Sequence, residues 1–405
     1  MAQPQDVSEC FSESYFEARA KFVDAASQLG AELHKLEVIE DESGKYTIDI
    51  AILRGTDSGL IVVSSGTHGV EGYAGSAIQV QLLRQLKAVP VALNLVFVHA
   101  VNPYGMAHFR RWNENNVDLN RNALLPEQFE KLVNNDSLNS TYLTFDSLFN
   151  PTRAPGSFYV SVGIWWDMAV NLARYGLKAL KTALVAATYK QAKGVFYGGQ
   201  ELQRSHALLR DFMTSHFKEV PASAVAWIDV HTGLGASGVD VILGGAADEE
   251  VMKSLFPKIL GETDGFQAGF GSSNDERIKI RCAGTARIDA SGPVTQSAGY
   301  ELTVGILGTN EWVSTFFKPN SGRAMVVTQE FGTLSNLHVA RALMLENVGY
   351  NWDRANHEYW RTFTRDAFYV RTPEWKAKVL KRGESVFRTM VARVARTEDN
   401  VRSRM

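Results

Sequence analysis

Residues 60–72 read Leu-Ile-Val-Val-Ser-Ser-Gly-Thr-His-Gly-Val-Glu-Gly. A short run of β-formers stops in a turn that carries His68 and Glu71 between Gly66, Gly69 and Gly72. Glycine adopts backbone angles closed to other residues, so the chain can turn sharply here and leave an imidazole at the rim of a sheet. A helical stretch continues to Leu86, and Leu93-Asn-Leu-Val-Phe-Val98 reads as another buried strand that stops at Val101-Asn-Pro-Tyr-Gly105. Strand, turn, helix, strand is the pattern of a doubly wound α/β sheet. It recurs at Val225-Ala-Trp-Ile-Asp-Val230, which ends at His231-Thr-Gly, and at Ala324-Met-Val-Val-Thr328, which ends at Gln329-Glu330-Phe-Gly.

Outward from these strands, apolar spacing predicts a helix over 15–29, and alternation predicts a half-buried strand over 44–53. Residues 165–192, 201–217 and most of the last sixty read as helical. There is no internal repeat and no proline- or serine-rich linker. The chain of 405 residues is therefore read as one domain, with core motifs over 60–335, a helical insertion over about 123–222 and a helical extension over about 336–405.

Composition narrows the function. With 45% hydrophobic and 21% charged residues the chain has the makeup of a globular protein with a large core. A net charge of −2 gives no overall field drawing it to nucleic acid or anionic membrane, so neither is expected as a partner. No run approaches the roughly 20 apolar residues that span a bilayer. Two cysteines, Cys10 and Cys282, are too few for a disulfide framework or a cysteine zinc site. The opening residues lack a basic region followed by an apolar core, so the expected compartment is the cytoplasm.

In open α/β sheets ligands collect beyond the carboxyl ends of the strands. Three such ends carry chemistry: His68 with Glu71, His231, and Glu330. H-x-x-E alone is weak, since nine histidines predict about one match by chance. His34 with Glu37 and His216 with Glu219 match too, and both read as solvated surface. Hydrolytic zinc commonly takes two histidines and a glutamate, keeping a fourth position for water. His68 and Glu71 supply two such ligands from one turn, and His231 is the strand-end candidate for the third, with His99 open as an alternative. Between them lie Arg110-Arg111 and Val117-Asp-Leu-Asn-Arg-Asn122. Arginines there suit a carboxylate or a developing oxyanion, or else form surface salt bridges. Trp165-Trp166 reads as core or as an oligomer contact, which leaves a homo-oligomer open.

The order H-x-x-E, N-P-Y-G, R-R-W with V-D-L-N-R-N, D-V-H-T-G and Q-E-F-G resembles the zinc carboxypeptidase superfamily. That superfamily holds carboxypeptidase A-like peptidases and the aspartoacylase–succinylglutamate desuccinylase group. Within it the chain is most similar to a branch carried as a domain of unknown function. The resemblance implies a three-layer α/β/α fold, phosphorylase/hydrolase-like, with a central mixed, mostly parallel twisted sheet. It implies one Zn2+ per chain on His68, Glu71 and His231, with Glu330 as general base and later acid. Arg111 would polarise the scissile carbonyl, with Arg110 as the fallback. Asn120 and Arg121 would bind a substrate carboxylate, and Asp118 would fix the His68 tautomer. The tyrosine and further arginine that carboxypeptidases use have no fixed place; Tyr197, Tyr300, Arg281 and Arg287 are the candidates. The expected activity is hydrolysis of an amide next to a carboxylate, on small N-acyl amino acids or related amides. The alternatives are a metallocarboxypeptidase acting on short peptides and a non-catalytic, zinc-stabilised binding module.

Overall fold

Strands that are apolar on both faces must be covered on both faces, and the architecture follows from that need. The structure, a computed structural model, describes residues 9–86, 92–245, 248–256, 281–283, 288–289, 292–293, 304–308 and 310–402. Among the described residues, the main sheet comprises β1 (Glu32–Asp41), β2 (Gly44–Leu53), β3 (Leu60–Ser65), β4 (Asn94–His99), β5 (Val225–Ser237), β6 (Asp240–Gly245), β7 (Arg281–Ala283) and β10 (Met325–Gly332). Its spatial order is β1-β2-β4-β3-β5-β10-β6-β7, with β8 (Ile288–Asp289) and β9 (Gly292–Pro293) forming a separate hairpin. The central block β4-β3-β5-β10 is parallel, and antiparallel pairings join β2 and β6 to its two sides. The sheet is thus mixed and mostly parallel, as expected.

Alternate residues of these strands feed two separate cores. Ile61, Val63, Phe97, Ile228 and Val327 pack with α1 (Tyr15–Gln28), α2 (Gly72–Leu86) and the C-terminal helices α11 (Asn336–Trp352), α12 (His357–Phe368) and α13 (Pro373–Arg402). Val62, Val96, Trp227 and Val326 pack on the other side with Leu209, Phe212 and Phe217 of α8 (Arg204–Phe217) and Trp312 and Phe316 around α10 (Asn310–Ser314). Helices on both faces of one sheet make three layers. The remaining helices are α3 (Pro103–Ala107), α9 (Glu249–Leu255) and those of the insertion, α4 (Pro126–Val133), α5 (Asp136–Leu143), α6 (Asp146–Phe149) and α7 (Ile164–Ala186). Among the described residues, no helix is long and apolar enough to cross a membrane.

Two departures from the sequence reading have plain causes. The helix expected over 165–192 breaks at Gly176, where φ is +80°, and stops at Ala186 because Ala187 turns left-handed. Strand β1 has no counterpart in the sequence reading, because Glu32, His34, Lys35, Glu37, Glu40 and Asp41 make it polar. It lies at the edge of the sheet, where charge protects against mispairing.

His99 and His206 are fully buried, and burial lowers each from the usual 6.5 to about 4. The unfolded chain therefore takes up protons on these rings before the folded one does. Stability that is complete above pH 6.5 is lost as pH falls from 6.5 towards 4, on the order of 1–3 kcal/mol for each ring. Urea midpoints measured across that window should fall. His206→Leu should flatten the dependence, and an unchanged slope in that variant would remove His206 from the account.

Candidate metal centre

The turn after β3 is built to deliver His68 and Glu71 to one point. Gly66 has φ +68°. A Cβ on Gly69 would lie 2.1 Å from the carbonyl carbon of Gly105 and 2.3 Å from the nitrogen of Met106, so only glycine lets α3 pass this close. Asn102 accepts from the Gly105 amide at 2.8 Å and donates to the Arg111 carbonyl at 3.1 Å. The amides of Gly69 and Val70 donate to the carbonyls of Arg111 and Arg110 at 3.3 and 2.8 Å. The Asn-Pro-Tyr-Gly element thus sets the arginine loop against the turn that carries His68 and Glu71.

His231 lies on β5 and Glu330 on β10, and the parallel register pairs the two residues directly. Three donor atoms converge between the strand ends. His68 Nδ1 is 2.9 Å from Glu71 Oε1 and 3.1 Å from His231 Nδ1, and His231 Nδ1 is 3.0 Å from Glu71 Oε2. The opposite ring nitrogens face carboxylates: His68 Nε2 meets Asp118 Oδ1 at 3.2 Å and His231 Nε2 meets Asp229 Oδ2 at 2.6 Å. A carboxylate behind each ring keeps the proton on Nε2 and leaves the Nδ1 lone pair for a cation. Two lone pairs and a buried carboxylate aimed at one point fit a divalent ion in the His2Glu manner. All three side chains are buried and together form a group able to hold a metal ion.

Around that point the charges are arranged in opposition. Burial alone would raise the Glu71 carboxyl, yet His68 and His231 hold it well below the usual range. The Thr232 amide also donates to Glu71 Oε2 at 3.0 Å. Burial alone would lower His231, and Asp229 and Glu71 outweigh it and raise the ring well above 6.5, so a cation binding at Nδ1 has to displace a proton there. Glu330 goes the other way, because burial and the nearby Glu71 push it up to about 7. Its Oε1 accepts from the Leu234 amide at 3.0 Å. A carboxyl that titrates near pH 7 is able both to take and to return a proton there.

Asp118 also binds Arg111, with Oδ2 accepting from Nε at 2.9 Å, and Arg111 Nη1 lies 3.4 Å from Glu71 Oε1. Despite burial, Arg111 and His68 hold Asp118 well below the usual carboxylate range. Asn120 and Arg121 follow on a 3-10 turn that starts at Asp118. Asn120 Oδ1 accepts from the Leu307 amide at 2.8 Å, and Arg121 Nη1 donates to the Asn120 carbonyl at 2.8 Å. Burial lowers Arg121 to about 10.

The structure therefore gathers His68, Glu71, His231, Glu330, Asp118 and Arg111 at one place, with Asn120 and Arg121 on the adjoining turn. Arg110 does not join them. It is fully buried, bound to Glu346 and Asn116 at 2.7 Å each and stacked on Tyr350, so it cannot serve as the fallback for Arg111. His99 is also elsewhere, with Nε2 3.0 Å from Ser76 Oγ and its ring on Phe22. Tyr197 is buried and accepts the Asp118 amide on its carbonyl at 2.7 Å. Tyr300, Arg287 and the side chain of Arg281 lie outside the described residues.

Two residues were missed. Asp229, two positions before His231, also accepts from Ser64 Oγ at 2.7 Å and Thr67 Oγ1 at 3.0 Å. An aspartate at i−2 on the same face of a strand is a signal that could have found it. Phe196 comes from the insertion, with its ring 4.9 Å from the Arg111 guanidinium and 5.6 Å from that of Arg121. Its φ of +58° is unusual for an aromatic residue. No local pattern announced it.

A three-layer α/β scaffold that brings two histidines and a glutamate to the carboxyl ends of its parallel strands defines a metal-competent α/β protein. The chain belongs to the family described as Protein of unknown function (DUF2817), whose model matches residues 11–382. Among solved structures it is similar to carboxypeptidase A from Helicoverpa armigera at 12% identity, over 92% of this chain and 74% of that one, with a TM-score of 0.41. Succinylglutamate desuccinylase/aspartoacylase from Rhodobacter sphaeroides is similar at 12% identity, over 80% of this chain and 65% of that one, with a TM-score of 0.34. No curated protein matches the sequence.

Proposed function

We propose that the chain is a zinc-dependent hydrolase that cleaves an amide bond next to a carboxylate, acting on small N-acyl amino acids or related amides. The observation that carries the reading is the convergence of His68, Glu71 and His231 beside Glu330 on the neighbouring strand. His68, Glu71 and His231 would hold a zinc ion, which would supply Lewis acidity, polarising a carbonyl and lowering the pKa of water towards about 7.

The remaining work falls to the protein. Glu330, held through Oε1 by the Leu234 amide, takes the proton of the attacking water and passes it to the leaving amine. Arg111, fixed through Nε by Asp118, donates to the oxygen on which charge grows. Losing one such donor costs about 10²–10³ in rate. Arg121 and Asn120 hold the substrate carboxylate. Phe196, which faces both guanidiniums, limits the length of what fits between them and favours a small substrate over a peptide.

A panel of N-acyl amino acids against blocked dipeptides, with and without a chelator, tests the reading. Chelator-sensitive hydrolysis of the first group is expected. Preference for dipeptides would make the chain an exopeptidase, and stoichiometric zinc without hydrolysis of either group would make it a binding module. Phe196→Ala should move the ratio of kcat/KM for dipeptide to that for acyl amino acid by about tenfold, in the range a single apolar contact can discriminate. An unchanged ratio would remove Phe196 from substrate selection.

A further inference from the structure

A second group of metal-competent side chains lies at the β1 edge of the main sheet, away from the central strands that carry the chemistry proposed above. His34 and His216, which the sequence presents as separate solvated residues, are brought together by the fold. Both are half-buried, and both rings pack on Phe212, at 4.9 and 4.1 Å between centroids. Glu32 stands two residues before His34 on the same face of β1, and its Oε1 lies 2.6 Å from His34 Nε2. One donor atom from each of Glu32, His34 and His216 lies within 4.8 Å of the other two.

From this geometry we infer that Glu32, His34 and His216 form a second metal site, for a borderline divalent transition ion such as Zn2+ or Cu2+. Three observations support it. First, the two rings meet at 5.0 Å and 73°, nearly the arrangement of His68 and His231, which meet at 4.7 Å and 74°. Second, His216 Nδ1 is 2.9 Å from the Phe212 carbonyl oxygen and 2.9 Å from Ser215 Oγ. The backbone acceptor keeps the proton on Nδ1 and frees the Nε2 lone pair, which is how ligating imidazoles are commonly set. Third, Arg54 bonds Glu32 through Oε2 at 3.3 Å, leaving Oε1 on the side of the histidines.

Two imidazoles and one carboxylate select such ions over Mg2+ or Ca2+, which prefer oxygen ligands. The site joins an edge strand to the last turn of α8, whose first residue, Arg204, already bonds the Glu37 carbonyl at 3.0 Å. An ion there pins the second end of the helix to β1. The guanidinium of Arg54 and the exposure of Glu32 make it the weaker of the two sites.

The test uses the full chain and zinc itself. Wild type should bind two equivalents by titration calorimetry, with the second weaker. His68→Ala/His231→Ala should keep the weaker equivalent and show a zinc-dependent rise in melting temperature. His34→Ala/His216→Ala should keep the tight equivalent and lose at least about tenfold in affinity for the other, while Glu32→Gln, which leaves both rings in place, should weaken it to a smaller extent. Mg2+ should have no effect in any variant. Cu2+ added to the His68→Ala/His231→Ala protein should give an EPR signal with two coupled nitrogens, falling to one in a further His34→Ala change. If the variant lacking the first site does not fold, the same nitrogen count is read on the second Cu2+ equivalent of wild type. A single equivalent in wild type, or a second one indifferent to His34 and His216, would overturn the proposal. Neither result bears on the His68–Glu71–His231 centre.

Discussion

Glu330→Gln should retain one tight zinc per chain and lose turnover by about 10³-fold, within the 10²–10⁴ that general acid–base catalysis supplies. The substitution is nearly isosteric, and the amide oxygen can still accept from Leu234, so the far end of β5 has no reason to move. It removes the one group beside the centre whose carboxyl is held near neutrality by burial and by Glu71. Metal content, melting temperature and KM should therefore stay close to wild type while kcat falls. Activity within tenfold of wild type would transfer the proton to another group and end this assignment of Glu330.

His231→Ala should abolish tight zinc binding and, with it, all activity above background. Its imidazole is the one candidate ligand on β5; His68 and Glu71 come from a single turn and by themselves would leave an ion half-coordinated. The loss should exceed the 10–100-fold that removal of a carboxylate behind a ligand costs. Asp229→Asn provides that milder comparison. It keeps the packing around Ser64 and Thr67 but no longer holds the proton on His231 Nε2. A graded series, with Asp229→Asn between wild type and His231→Ala in zinc affinity, is the expected result. Equal affinity in wild type and His231→Ala would mean that the ion is held elsewhere.

Much of this arrangement was legible in the sequence because it is local. An apolar run that stops at a polar side chain marked β3, β5 and β10 together with His68, Glu71, His231 and Glu330, although β5 runs on past His231 to Ser237 and β10 past Glu330 to Gly332. What stayed hidden depends on partners far along the chain. Arg110 and Arg111 are neighbours in sequence, yet Arg110 is withdrawn by Glu346, 236 residues away, while Arg111 is held by Asp118, seven residues away. His34 and His216 lie in polar surroundings, which argues for solvent, and only the packing of α8 on β1 brings their rings together. Phe196 reaches the arginines through the insertion, whose sequence carries no pattern that predicts its return.

The pairing of His231 with Glu330 has a bearing on how this family can tolerate changes in length. Because neighbouring side chains on a strand point to opposite faces, removing one residue from 325–329 would turn Glu330 away and set Phe331 opposite His231 instead. These few positions work as a vernier that admits no half-step. Natural variants with a one-residue gap there should be inactive even when every motif residue survives.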